Sequence, residues 1–193
     1  MYIINIFLLP WESQTLYSQR LTLGACMAEV KLKGNGVHTN GKLPAKGQKA
    51  PEIHGVDADL HEKTLADFKG KKKIMCFVPS LDTPVCSLSA QKFSEAVKKH
   101  PGTVVLYISM DTPFALKRVC IAENGMGQII PLSLIRSKKT AEDYGVLLKD
   151  GPLAGICARA VVVLDANDHV IYTQLVDEIT HEPDYDHALK ATT

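Results

Sequence analysis

Apolar and polar positions fall into short blocks along most of the chain, and the period of each block predicts its element. Ile74 to Val78 is an unbroken apolar run, as expected of a strand buried on both faces. Pro84 to Lys99 then sets Cys86, Ala90, Phe93 and Val97 at spacings of 4, 3 and 4, which predicts a helix with that face turned inward. His100-Pro101-Gly102 breaks the helix, and the β-branched run Thr103 to Ser109 predicts a second strand, so the three elements form a right-handed parallel crossover. Further on, Pro113 to Glu123 and Lys138 to Tyr144 read as helices. Ala158 to Leu164 reads as a strand, joined through the turn Asp165-Ala166-Asn167-Asp168 to His169 to Val176 as an antiparallel hairpin. Pro183 at a first helical position opens a last helix through Leu189. Ahead of the crossover, Gly34, Gly36, Gly41 and Gly47 punctuate Glu29 to Lys49 into a loose β-hairpin covering an edge of the main sheet, and Leu65 to Phe68 reads as a turn of helix. The class is α/β.

At 193 residues the chain fits one domain with an appendage. Residues 1–26 show no periodic apolar face, and Met27 begins a fresh stretch, so 1–26 reads as a disordered leader or one ahead of the true start, and 27–193 as the folded domain. Leu23-Gly24-Ala25-Cys26 resembles the end of a bacterial lipoprotein signal. Against a periplasmic or lipoprotein form, Met1 to Ile6 carry no positive side chain, and Glu12, Gln14, Gln19 and Arg20 interrupt the apolar region. The apolar stretch Tyr2 to Pro10 is far below the roughly 18 residues that span a bilayer. With 46% hydrophobic and 22% charged residues the composition is globular, and a net charge of +1 provides no field for nucleic acid or an anionic membrane. Lys71-Lys72-Lys73 reads as a solvated strand start rather than a phosphate site, which would want a glycine-rich loop at a helix N-terminus.

The chemistry therefore rests on local groups, and the cysteines narrow them. Five of them, an odd number without C-x-x-C or zinc-ligand spacing, argue against a disulfide scaffold and a structural metal site. Cys76 lies mid-strand and reads as core, while Cys26 lies in the leader. Cys86 differs: Thr83 suits an N-cap and Pro84 the first helical position, so Cys86 falls at the third, where free backbone N–H groups and the helix dipole favour a thiolate. The competing reading is a small apolar residue on a buried helix face. Arg159 is flanked by I-C-A and A-V-V-V, and an arginine among such neighbours has a buried partner or task. Cys157 stands two residues earlier, on the same face if the strand extends that far, and reads as packing because it lacks a charge partner. The seven histidines lie mostly in polar loops and form no evident Cys-His pair.

Pro79, Thr83 and Cys86 together resemble the active-site motif of the peroxiredoxins, and the flanking S-L-D-T-P-V-C is similar to their bacterial thiol peroxidase branch, the atypical two-cysteine type. The likeness runs on through Ser109 to Cys120, Asp143 to Gly155, Ala158 to Asp165 and Glu178 to Asp186. Thr112, Val119 and Ile121 stand where the branch more often has Leu, Phe and Gly. The resemblance implies a thioredoxin-like fold: a central mixed β-sheet flanked by helices, with an added N-terminal β-hairpin. It implies an enzyme that reduces hydroperoxides, alkyl hydroperoxides above hydrogen peroxide, without metal, haem or flavin. By the same resemblance Cys86 is the peroxidatic cysteine, Arg159 keeps its thiolate charged, and Thr83 holds the peroxide. Cys120 is then the resolving cysteine, closing an intrachain Cys86–Cys120 disulfide that thioredoxin reduces, after local unravelling of both helices. Pro79, Phe93 and Phe114 are the expected substrate-side residues, the two phenylalanines from position alone. A homodimer in a bacterial cytoplasm is also implied. The alternative is a redox sensor or interaction module that uses the same two cysteines without turnover. A thioredoxin-type oxidoreductase would want C-x-x-C where Thr83 and Cys86 stand.

Overall fold

The computed structural model describes residues 27–122 and 129–193, with backbone alone for 120–122; the leader expected over 1–26 lies outside the described residues. The elements, in chain order, are β1 (Glu29–Leu32), β2 (Asn35–His38), β3 (Gly55–Val56), β4 (Glu62–Lys63), a 3-10 turn (Leu65–Phe68), β5 (Lys72–Phe77), α1 (Pro84–Val97), β6 (Thr103–Ser109), α2 (Pro113–Ala122), β7 (Ile129–Ser133), α3 (Lys139–Asp143), β8 (Ala160–Leu164), β9 (Val170–Leu175) and α4 (Tyr185–Lys190). Seven strands form one sheet in the order β4-β3-β7-β6-β5-β8-β9. β5 pairs in parallel with β6, and β6 with β7, while β8 and β9 run antiparallel, so the sheet is mixed. The expected crossover is therefore β5-α1-β6.

The strands are apolar throughout because both faces are covered, and alternate side chains divide between two cores. Ile74 and Cys76 of β5, Val105 and Tyr107 of β6, and Val161 and Val163 of β8 face α1, α2 and α4, meeting Cys86, Ala90, Phe93, Leu116 and Ala188. Met75, Phe77, Leu106, Ile108, Val162 and Leu164 pack on the other side against Leu65, Phe68, Ala141 and Tyr144.

Three expectations are corrected. The hairpin over Glu29 to Lys49 is confined to β1 and β2, a separate two-stranded sheet. It lies beyond the end of edge strand β9, with Lys31 N–H donating to the Asp177 carbonyl and Ile179 N–H to Lys31, while the chain at Gly47 to Ala50 pairs beside the start of β9. Pro183 is not the first helical residue: α4 starts at Tyr185, and Asp184 caps it by accepting from His187 N–H, so the proline precedes the cap. Nor is the lysine triplet solvated throughout: Lys71 is exposed and Lys72 half-buried, but the third lysine is not. Lys73 is fully buried, its Nζ 2.5 Å from an Asp168 carboxylate oxygen and 2.9 Å from the Lys71 carbonyl, and Lys72 reaches the carbonyl of Thr192. The β8–β9 turn supplies the anion that lets an ammonium enter the sheet.

β3, β4 and β7 had no readable signal. Two-residue strands have no period, and Pro131 in β7 argues against a central strand. Pro131 is tolerated because β3 meets β7 only at Val56 and Ser133, leaving the proline's missing donor unneeded.

Candidate active site

The segment Pro79 to Thr83 leaves the carboxyl end of β5 and turns into α1. This end of a parallel sheet is where ligands of open α/β folds collect. Asp111, just past β6, organises the turn: its carboxylate accepts from Ser80 Oγ at 2.8 Å, Leu81 N–H at 2.7 Å and Ser109 Oγ at 2.8 Å. In the sequence Asp111 stands out only as part of the stretch Ser109 to Cys120. The Ser-x-Asp pattern at a strand end was its signal.

Thr83 occupies the N-cap with extended backbone and Pro84 follows at the first helical position, as expected. The expected capping bond is absent, and the Thr83 hydroxyl donates its proton to the Ser80 carbonyl at 3.1 Å. Its lone pairs point to no backbone donor of the cap, and so stay available to a ligand hydroxyl.

Cys86 in the first turn of α1 is fully buried. Two groups fix it. The Tyr107 hydroxyl donates to the Cys86 carbonyl at 2.9 Å, holding the first turn against β6. Arg159, only 3% exposed and immediately before β8, brings Nη2 to 3.3 Å from Cys86 Sγ. Its Nε donates to the Ile179 carbonyl at 2.8 Å, which fixes the plane of the guanidinium. Nη1 is buried without a hydrogen-bond partner among the described residues. A buried donor beside a sulfur, left unpaired, is costly unless a ligand oxygen completes it. A fixed guanidinium also offers the sulfur a positive charge that burial has stripped of competing water.

The other buried cysteines contrast with this arrangement. Burial pushes the Cys76 thiol well above the ordinary thiol range. It pushes Cys157 up to about 12, with the Asp111 charge adding to the effect. Cys157 does not share the Arg159 environment: it pairs with Leu147 before β8 begins and packs in the core on the opposite face of the sheet from Cys86. Both are inert packing residues by their surroundings.

Pro79 is buried at the end of β5. Phe93 is also fully buried, edge-on to Tyr185 with ring centroids 4.9 Å apart, so it belongs to the core beneath α1 rather than to an entrance. Phe114 is 70% exposed at the start of α2. A cleft of about 240 Å³ at the start of α1 is lined by neither; Leu81, Thr83, Pro84 and Ser87 face Arg118 and Val119 across it. Cys120 lies in α2, but its side chain falls outside the described residues.

Residues 45–189 match the Redoxin family model. The chain is 47% identical to the thiol peroxidase of Corynebacterium glutamicum over 165 residues, 86% of this chain and 99% of that one, and 45% identical to the thiol peroxidase of Mycobacterium tuberculosis over 86% and 98%. Among solved structures it resembles a peroxiredoxin-like protein from Aquifex aeolicus, with a TM-score of 0.80 and 42% identity over 86% and 97% of the two chains. A thiol peroxidase from Chromobacterium violaceum gives 0.78 and 26% over 84% and 93%. A thioredoxin-like mixed sheet, a buried arginine aimed at a helix-start cysteine and agreement over most of the length converge on one conclusion: this chain belongs to the thiol peroxidases of the redoxin family, enzymes of the peroxiredoxin type.

Proposed function

We propose that Cys86 is the peroxidatic residue of this peroxidase and that Arg159 and Thr83 hold the hydroperoxide against it. The observation that carries this reading is the Arg159 guanidinium, with one terminal nitrogen 3.3 Å from the Cys86 sulfur and the other a buried donor with no partner among the described residues. The Cys86 thiolate attacks the terminal peroxide oxygen and the O–O bond breaks. The oxygen stays on sulfur as sulfenic acid, and the departing alkoxide takes a proton and leaves as alcohol. Arg159 Nη1 donates to the peroxide oxygen on which charge develops, and such a donor is worth most in a water-excluded site. The Thr83 hydroxyl, already donating to Ser80, accepts from the hydroperoxide O–H.

Cys120 then attacks the sulfenic sulfur, a disulfide forms across 34 residues of sequence and water leaves. Bridging needs Cα atoms within about 7 Å, and in this reading the first turn of α1 and α2 open locally so that the two cysteines meet. A thioredoxin-type dithiol reduces the disulfide and becomes a disulfide itself. Alkyl hydroperoxide substrates, a homodimer and a bacterial cytoplasmic location complete the reading. No helix among the described residues is long and apolar enough to cross a membrane.

The test is intact mass and non-reducing peptide mapping after one equivalent of an organic hydroperoxide, then NADPH consumption with thioredoxin and its reductase. A Cys86–Cys120 peptide with sustained turnover, no oxidation in Cys86→Ser and accumulated sulfenic or sulfinic acid in Cys120→Ser are expected. Oxidation of Cys86 in the wild type with Cys120 still reduced would remove the resolver assignment.

A further inference from the structure

Resolution by Cys120 asks two segments to part from their packed positions, and a charged contact ties them together. Asp82 immediately precedes the N-cap Thr83, and Arg118 stands in α2 two residues before Cys120. Arg118 Nη2 donates to Asp82 Oδ2 at 2.5 Å. The pair closes over the cleft where Leu81, Thr83, Pro84 and Ser87 face Val119. Below it, Leu81 and Val119 are buried in the same core.

The two partners are anchored differently. Asp82 N–H donates to Ser80 Oγ at 3.2 Å, and Ser80 Oγ in turn donates to Asp111 at the end of β6, so Asp82 stands on a post fixed to the sheet. Arg118 stands on α2, whose opening carries Cys120 away from its packed position. Its neighbour Lys117 makes a second tie, to Asp59 in the β3–β4 turn at 2.8 Å, away from the turn that holds Cys86. Adjacent basic residues of α2 therefore grip the active-site turn on one side and a remote turn on the other.

We propose that the Asp82–Arg118 ion pair is a latch that sets how fast the oxidised Cys86 is resolved by Cys120, and hence how readily excess hydroperoxide carries it on to sulfinic acid. The proposal rests on the two-cysteine reading above. The sulfenic acid has two fates: condensation with Cys120, which needs the latch open, and attack on a second hydroperoxide, which needs Cys86 seated in the closed pocket. Every increase in the opening equilibrium favours the first fate over the second. An ion pair exposed to this degree, with side chains 66% and 56% accessible, shifts such an equilibrium by about two- to fivefold. It is also screened by salt, since the Debye length falls from about 8 Å at 0.15 M to about 3 Å at 1 M.

The experiment forms the sulfenic acid with one equivalent of cumene hydroperoxide. It follows Cys86–Cys120 disulfide formation by rapid acid quench, alkylation and mass spectrometry, in wild type, Asp82→Asn, Arg118→Gln, the charge-exchanged double variant and the control Asp59→Asn. Resolution two- to fivefold faster in both single variants is expected. So are wild-type rates that rise toward theirs between 0.05 and about 1 M salt, loss of that salt dependence in the variants, slower resolution again in the double variant, and proportionally less sulfinic acid under excess hydroperoxide. The wild-type salt series stands alone if a variant fails to fold. Equal rates in wild type and the Asp82 and Arg118 variants, or an equal acceleration in Asp59→Asn, would overturn the latch. Absence of any Cys86–Cys120 peptide in the wild type would fail the two-cysteine reading, and the latch with it.

Discussion

Arg159 concentrates the contacts of the proposed site in one side chain, because a guanidinium can hold one fixed plane and serve several partners at once. Its Nε is committed to the Ile179 carbonyl, Nη2 to the Cys86 sulfur, and Nη1 has no partner among the described residues. A lysine keeps the charge but not the fork. Arg159→Lys should therefore lower the second-order rate of Cys86 oxidation by organic hydroperoxide about 10²-fold, the scale of losing one preorganised donor. Stopped-flow measurement against wild type checks this, and a loss under threefold would show that charge alone suffices. Arg159 was legible in the sequence because its apolar flanks left it nowhere solvated to go. Tyr107 and Asp111 were not, since a tyrosine within a strand and an aspartate after one look the same whether or not a neighbouring segment brings them a partner.

Among the elements, the β1–β2 hairpin illustrates how a peripheral piece supports a distant site. The Glu178 carboxylate accepts from the backbone N–H groups of Lys33 and Gly34 at the hairpin's tip, and from the N–H and hydroxyl of Thr180. The next residue, Ile179, supplies the carbonyl that aims Arg159 and packs with Val30 and Val37 of the hairpin. The Gly34 N–H first, then the other donors, hold the Glu178 carboxyl down at about 2 from its ordinary 4.5. A depressed carboxylate pKa stabilises the folded state above the unfolded value, and that stabilisation is lost as pH falls. The stability advantage of wild type over Glu178→Ala should thus be complete above about pH 5, shrink between pH 4.5 and 2, and vanish near pH 2, as read by urea unfolding at a series of pH values. An advantage independent of pH over that window would mean that the hairpin is held by Val30 and Val37 alone. The hairpin was readable from its glycines, but its seat was not, because that depends on where the chain after β9 returns.

For the molecule as a whole, the buried Lys73–Asp168 pair at the end of the sheet opposite the site closes the core where β5 meets the β8–β9 turn. The two ends are unequal: the Lys73 side chain is fully buried, whereas Asp168 keeps 21% exposure. Burial pushes the Asp168 carboxyl up, but the bonds from Lys73 and Lys49 outweigh it and leave the group below its usual range. Losing the anion strands a charge that water cannot reach, while losing the cation leaves an anion that water and Lys49 can still serve. Asp168→Asn, which suits the φ of +64° at that position, should cost about 3–5 kcal/mol, and Lys73→Met clearly less, as read from urea unfolding midpoints. Equal costs would mean that the difference in burial between the two ends does not decide the penalty. Length, α/β class, the β5-α1-β6 crossover, the helix-start thiol and the buried arginine were all determined by the sequence alone, because each follows from local periodicity or from the character of immediate neighbours. The placement of Arg159 against Cys86 across 73 residues, the Asp111 clasp, the burial of Lys73 and the strands β3, β4 and β7 were decided only by the tertiary structure. Their energies come from partners distant in the chain, and neither two-residue strands nor lone polar side chains carry a period from which those partners can be read.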